Sequence, residues 1–219
     1  MGSVAPGALA AFDFDHTLSS RDNLLPFLRL VAGDLAVLRP SARVIPSLVA
    51  AALHDDRRDA AKVAVLRHLL GGRLAGEVEA KGEAFAQDLV ASHLRDDVLA
   101  RLRWHQARGH ATVVVSASLG CYLRPVGRAL GLDGVLCSEV AVGTDGRLTG
   151  TLLGVNVRRA EKAHRLDAWI AEHRGRVAPA VWAYGDSTGD AELLARADHP
   201  VRVGRARLDP ISVGDSSTA

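Results

Sequence analysis

Aromatic residues are scarce in this 219-residue chain, with three Trp, two Tyr and four Phe making 4% of it. Neither sign of charge dominates either: 27 basic residues stand against 25 acidic ones, a formal net charge of +2. Basic residues are scattered and no aromatics are interleaved among them, so neither a phosphate-tracking groove nor a base-stacking platform is expected. That argues against a nucleic-acid partner. Cysteine is nearly absent. Cys121 and Cys137 lack metal-ligand spacing and cannot make a disulfide framework, which fits a reducing cytoplasm. Long hydrophobic runs are missing too. The most membrane-like stretch, Val44–Leu53, is ten residues long in a region interrupted by Arg39, Pro40, Arg43 and Pro46. It is too short to span a bilayer, although peripheral contact with a lipid stays open. Met1–Ala11 has no positively charged start and is not read as a secretory signal. No internal repeat or low-complexity segment stands out.

What is present predicts a packed core. The chain is 48% hydrophobic and 24% charged, enough for one ordinary domain with a smaller insertion. The apolar run from Leu9 to Phe14 reads as a buried strand. Helical patterns follow at Asn23–Val31, at Asp34–Leu53 with breaks at Pro40 and Pro46, at Arg57–Leu70 and at Leu74–Val90. No strand signal appears between residues 20 and 110. From there strands and helices alternate: a helix at Asp96–Arg108, a strand at Ala111–Val115 and a helix at Leu119–Leu130. A short strand at Gly134–Leu136 and a hairpin over Glu139–Leu152 come next, then a helix at Val157–Glu172. A strand at Ala180–Tyr184, a helix at Ala191–Ala197 and a last strand at Val201–Val203 complete the chain. Alternation of this kind predicts an α/β fold with a mostly parallel sheet, built from residues 1–20 and 92–219. Residues 21–91 form an all-helical insertion.

Ligands bind beyond the carboxyl ends of strands in open parallel sheets, so the residues there carry the functional argument. The first strand ends in Asp13 and Asp15, which period-2 geometry places on one side, where they repel unless a cation intervenes. The strand over Ala111–Val115 ends in Ser116. The strand over Ala180–Tyr184 ends in Gly185-Asp186-Ser187-Thr188-Gly189-Asp190, and Lys162 lies on the helix before it. Taken singly, Ser116 is an ordinary turn residue and Lys162 a solvated helix lysine. Their joint occurrence at neighbouring strand ends is what points to a site. Gly185–Gly189 also spells Gly-x-Ser-x-Gly, the nucleophile elbow of α/β-hydrolases. That reading needs an acid and then a histidine downstream, and only His199 follows.

In this order and at these separations, the four pieces resemble the motifs of the haloacid dehalogenase-like phosphatases. The helical insert after the first motif, and Asp145–Gly150 ahead of Lys162, resemble the phosphoserine phosphatase-like branch. The resemblance spans about Leu9 to Val203. It implies a Rossmann-like core with an inserted helical cap, Mg²⁺ as cofactor and a small phosphorylated substrate. Asp13 would be the nucleophile, forming an aspartyl-phosphate. Asp15 would protonate the leaving oxygen and later deprotonate water. Mg²⁺ would be held by Asp13, the Asp15 backbone carbonyl and Asp186, with Asp190 a further or supporting ligand. Ser116 would hydrogen-bond a phosphoryl oxygen beside Ala117, and Lys162 would neutralise charge. Thr17 would cap the turn and orient Asp15, while His16 occupies the variable position of the motif. Asp22 and Arg67 stand where that branch grips its amino-acid substrate with a glutamate and an arginine. Ser116-Ala117-Ser118 in place of Ser-Gly-Gly, and Gly189 in place of an asparagine, depart from phosphoserine phosphatases. Histidinol phosphate is therefore a further substrate candidate, and a lipid phosphate is another if Val44–Leu53 lines the entrance.

Overall fold

The computed structural model describes residues 7–38, 45, 57–174 and 180–208. Among these the strands are β1 (Leu9–Phe12), β2 (Ala111–Leu119), β3 (Gly134–Ser138), β4 (Val140–Val142), β5 (Leu148–Leu152), β6 (Val181–Gly185) and β7 (His199–Arg202). One sheet has the order β3-β2-β1-β6-β7 with every pairing parallel, and β4 and β5 form a separate antiparallel hairpin. β1 is central and buried along its whole length, as an apolar run without alternation predicts. The chain leaves β1 for β2 on one side and returns to β6 on the other. The crevice where the order reverses therefore opens beyond Phe12.

Period 2 divides each strand between two layers. Leu9 and Ala11, with Val113, Val115, Val181 and Ala183, face a cluster containing Leu166, Ile170 and Leu193. These last belong to α7 (Ala160–Arg174) and α8 (Ala191–Arg196). Ala10, Phe12, Val114 and Tyr184 join the opposite cluster, with Leu102 and Leu123. The helices there are α5 (Asp96–Ala107) and α6 (Gly120–Leu130). Asp96 and Asp97 favour the positive end of α5, and Gly131, at φ 67°, provides the left-handed stop after α6.

Between β1 and β2 lie α1 (Leu24–Ala32), α2 (Asp34–Leu38), α3 (Arg58–Leu69) and α4 (Ala75–Ser92). Their apolar faces merge with the core cluster around Tyr122, whose ring centroid lies 4.9 Å from that of Phe27 and 5.5 Å from that of Phe85. Burying each such ring contributes roughly 1.5–3 kcal/mol. α4 comes so close to α6 that a Cβ on Gly82 would sit 2.1 Å from the Cys121 carbonyl oxygen. Only glycine fits there.

Element types follow the sequence pattern and several boundaries move. β2 continues past Val115 to Leu119, so Ser116 lies within the strand rather than after it. α7 begins at Ala160 instead of Val157, because Asn156 and Val157 are tied to Ser138. The expected breaks at Pro40 and Pro46 lie outside the described residues. So does Val44–Leu53 except Ile45, which is 47% exposed. No described helix is long and apolar enough to cross a membrane.

Candidate active site

Asp13 follows directly on β1, its N–H donating to the Tyr184 carbonyl of β6 at 2.8 Å. Its carboxylate is nearly buried and meets Lys162, from the first turn of α7, with Nζ 2.5 Å from Oδ1. The same ammonium donates to Asp190 Oδ1. The other Asp190 oxygen accepts from the Ser187 N–H at 3.0 Å and the Ser187 hydroxyl at 2.8 Å. A lysine buried between two carboxylates stays charged: burial alone would draw its pKa down, but Asp13 and Asp190 hold it above the usual value. Burial raises Asp13 to about 7 against the pull of Lys162, whereas Lys162 outweighs burial at Asp190 and lowers it. Asp186, half-buried, is raised by burial and then by Asp190.

Asp15 has different partners. The chain turns sharply at His16, which adopts the left-handed φ of 57°. The carboxyl group of Asp15 accepts from the Asn23 N–H at 3.0 Å and from Asn23 Nδ2 at 2.7 Å, both on Oδ1. Ser118 Oγ donates to Oδ2 at 2.6 Å. Burial, then Asp22, raises its pKa to about 6, with the Ser118 and Asn23 hydrogen bonds pulling the other way. The two aspartates thus have different hydrogen-bond partners, while Asp15 remains close enough for its charge to add to the raising of Asp13.

Asp13, Asp186 and Asp190 bring carboxylate oxygens within 4.8 Å of one another. Three hard oxygen donors in one partly buried cluster fit a cation such as Mg²⁺ better than a soft metal. Both Asp190 oxygens are already engaged by Lys162 and Ser187, so Asp190 serves that cluster mainly as its support.

Ser116 is buried within β2, and its Oγ accepts from the Ser118 N–H at 3.2 Å. Ala117 presents its carbonyl to Lys62 Nζ at 2.5 Å. Thr17 is buried in the turn, and its hydroxyl has no hydrogen-bond partner among the described residues; the hydrogen bonds to the Asp15 carboxyl come from Asn23 and Ser118. Asp22 accepts from the Leu24 N–H at 3.0 Å and, with Lys62, Leu25, Leu28 and Val65, lines a slot of 260 Å³ between α1 and α3. Arg67 is not brought to the carboxylates. It is exposed, with its backbone against β5, where a Cβ on Gly150 would lie 2.3 Å from its Cα. His16 and Asp186 open onto a second cavity of 720 Å³.

The nucleophile-elbow reading fails on geometry. Ser187 Oγ is bonded to Asp190 and accepts from the Gly189 N–H, while His199 stacks on Trp182 at 4.2 Å. Both thiols are kept protonated, burial pushing Cys121 up to about 12 and Cys137 higher still. Asn23, Ser118, Lys62, Asn156 and Ser187 escaped the sequence reading. The alternation Ser116-Ala117-Ser118 could have flagged Ser118; nothing in the local sequence marks Lys62 or Asn156.

A parallel α/β sheet with an aspartate pair, a buried lysine and two further aspartates at its central carboxyl edge defines a hydrolase class. The chain belongs to the haloacid dehalogenase-like hydrolase family, which it matches over residues 10–195. It is 37% identical to Protein CicA of Caulobacter vibrioides over 193 residues, covering 87% of this chain and 83% of that protein. A histidinol-phosphatase of Neisseria meningitidis is 29% identical over 122 residues, 54% of each chain. Among solved structures, a phosphoserine phosphatase holding an analogue of its phospho-aspartyl intermediate superposes with a TM-score of 0.62. It is 20% identical, over 88% of this chain and 84% of that one, which establishes the shared fold.

Proposed function

We propose that this chain is a Mg²⁺-dependent phosphomonoesterase acting through an aspartyl-phosphate on Asp13. The observation that carries this reading is the buried Lys162 bridging Asp13 and Asp190 at the end of the central strand. Such a lysine holds Asp190 ionised, opposes the protonation that burial favours at Asp13, and adds positive charge where a phosphoryl group would sit. Asp13 attacks phosphorus as the bond to the leaving oxygen breaks, and Asp15 gives its proton to that oxygen. Asp15 then takes a proton from the water that attacks phosphorus, releasing phosphate and regenerating Asp13. A carboxyl near pKa 6 suits both transfers. Ser116 and Lys162 bind phosphoryl oxygens. Asp13, Asp186 and the Asp15 carbonyl hold Mg²⁺, with Asp190 behind them; when bound, the ion neutralises charge developing on the phosphoryl group. Residues 21–91 act as a cap over residues 1–20 and 92–219.

A small phosphorylated amino alcohol, phosphoserine or histidinol phosphate, is the substrate class we favour, supported by the likeness to a histidinol-phosphatase. The slot between α1 and α3 has mostly apolar walls but carries Arg58 and Lys62 as well as Asp22, so its charge selects neither candidate. A lipid phosphate is the second reading, favoured by the exposed side chains of Leu25, Leu30, Leu35 and Ile45 on the insert.

The test is phosphate release by the purified protein with Mg²⁺, using phosphoserine, histidinol phosphate, lysophosphatidate, phosphatidylglycerophosphate and an aryl phosphate. Asp13→Asn should abolish turnover, a loss on the order of 10⁴-fold or more, while the protein stays folded. Full activity in that variant would sink the mechanism. No release from any compound by a folded, Mg²⁺-binding protein would indicate a phospho-ligand-binding role instead.

A further inference from the structure

The ladder between β2 and β3 runs from Val113 opposite Gly134 to Ser116 opposite Cys137, then shifts register before Leu119 meets Ser138. On the other side β1 stops at Phe12, opposite Val114. The backbone of Ala117 and Ser118 therefore lacks the regular ladder, and buried polar groups there need other partners. The Ser118 N–H uses Ser116 Oγ. The Ala117 carbonyl is taken by Lys62 Nζ, which reaches across from α3.

Lys62 also donates to Asn156 Oδ1 at 2.7 Å, and Asn156 Nδ2 donates at 2.7 Å to Asp59, one turn earlier on α3. Asn156 is buried in the loop before α7, and Ser138 Oγ donates to the same Oδ1 at 2.8 Å. One core amide is thus gripped by two side chains of α3 while it is held from below by β3. The slipped β2 tip is completed by a residue from the insert.

We propose that Lys62 and Asn156 are positioning residues that clasp α3 onto the β2 tip and thereby fix Ser118 against Asp15. The kinetic part of this inference rests on the phosphomonoesterase reading; the clasp itself does not. The route is short. Lys62 holds the Ala117 carbonyl, the next residue is Ser118, and its hydroxyl lies 2.6 Å from Asp15 Oδ2. Lysine suits the position because its ammonium can serve two neutral carbonyl oxygens at once; burial draws its pKa down to about 8, with Asp15, Asp59 and Asp22 opposing that fall.

The test compares wild type, Lys62→Met and Lys62→Arg by hydrogen–deuterium exchange and by steady-state kinetics on p-nitrophenyl phosphate with Mg²⁺. In Lys62→Met, peptides covering Ser116–Cys121 should exchange about ten-fold faster, with β1 unchanged. The expected kcat falls about ten-fold while KM stays within about two-fold, since Asp15 acts in the chemical step. Lys62→Arg should recover part of both, because a guanidinium still donates to the Ala117 carbonyl. If Lys62→Met does not fold, Asp59→Ala provides a milder opening of the same clasp, with smaller changes in the same direction. Unchanged exchange at the β2 tip overturns the clasp. Faster exchange with unaltered kcat, or an effect confined to KM, overturns the positioning role. A wild-type protein that is silent on every ester counts against the phosphomonoesterase reading, while the exchange result still decides the clasp.

Discussion

Two halves of one site are held by two different parts of the molecule. The Asp13 half is built by the sheet: β1, the residues after β6 and the first turn of α7 bring Asp13, Asp190 and Lys162 together in a buried charge cluster. The Asp15 half is built across the boundary with the insert, where Asn23 precedes α1, Lys62 comes from α3 and Ser118 ends β2. The first half depends on charge pairing in a dry interior. The second depends on hydrogen bonds that exist only while the inserted helices are docked. A site divided this way separates Asp13, fixed by the sheet, from Asp15, whose hydrogen bonds come partly from a residue at the start of the insert.

Removing the charge pairing should have the largest effect after loss of the nucleophile itself. Lys162→Met leaves Asp13 and Asp190 buried without their cation, and is expected to cost about 3–5 kcal/mol of stability along with activity. The pH dependence has a definite sign. Without the ammonium, Asp13, already raised to about 7, rises further, and Asp190 moves from below its unfolded value to above it, so more stability is lost as pH rises through the unfolded range and beyond. Urea denaturation should show a larger deficit at pH 8 than at pH 5; an equal deficit would mean that charge pairing is not what Lys162 contributes.

Ser118→Ala sharpens the contrast from the other side. Fold stability should change by only about 1 kcal/mol, while kcat falls roughly ten-fold. The lost hydrogen bond had lowered the Asp15 pKa, so the pH–rate limb assigned to Asp15 should move upward from about 6. A downward move would exclude Asp15 as the group being titrated.

The smallest effect lies away from both halves, at His105. Its imidazole is buried against Tyr184 and His110, and burial, then the neighbouring charge of His110, lowers its pKa to about 3. A histidine buried neutral contributes stability that is complete above pH 6.5 and is lost as pH falls from there towards 3. Thermal melts of His105→Gln should therefore show a weaker decline over that window than the wild type. A parallel decline would assign the acid sensitivity elsewhere.

Asp13, Lys162, Asp186 and Asp190 were legible because each lies at or beside the end of a strand or the start of a helix whose pattern is readable locally. In a parallel sheet such ends converge of necessity. Asp15 was legible as a residue but not in its surroundings. Its partners Asn23 and Ser118 come from beyond the turn at His16 and from a neighbouring strand, which the pattern of the first strand does not describe. Lys62 and Asn156 carry no local mark at all: they are 94 residues apart and meet only because α3 docks on a β2 tip that slips in register. Arg67, the cation suggested for the insert by resemblance, lies on the same helix as Lys62 but is exposed beside the hairpin; one register of α3 decides which of them faces inward.

Hydrophobic periodicity and the identities of strand-end residues by themselves determined the α/β class, the helices between the first two strands and the carboxylate–lysine cluster of this protein. Those features depend on interactions along the chain or on the topology that strand and helix alternation imposes. Only the tertiary structure decided how Asp15 is oriented, which cation of the insert reaches the core and why Asn156 is buried. These follow from the long-range packing of α3 against β5 and of α4 against α6, which brings Lys62 to the β2 backbone and which local propensity does not specify.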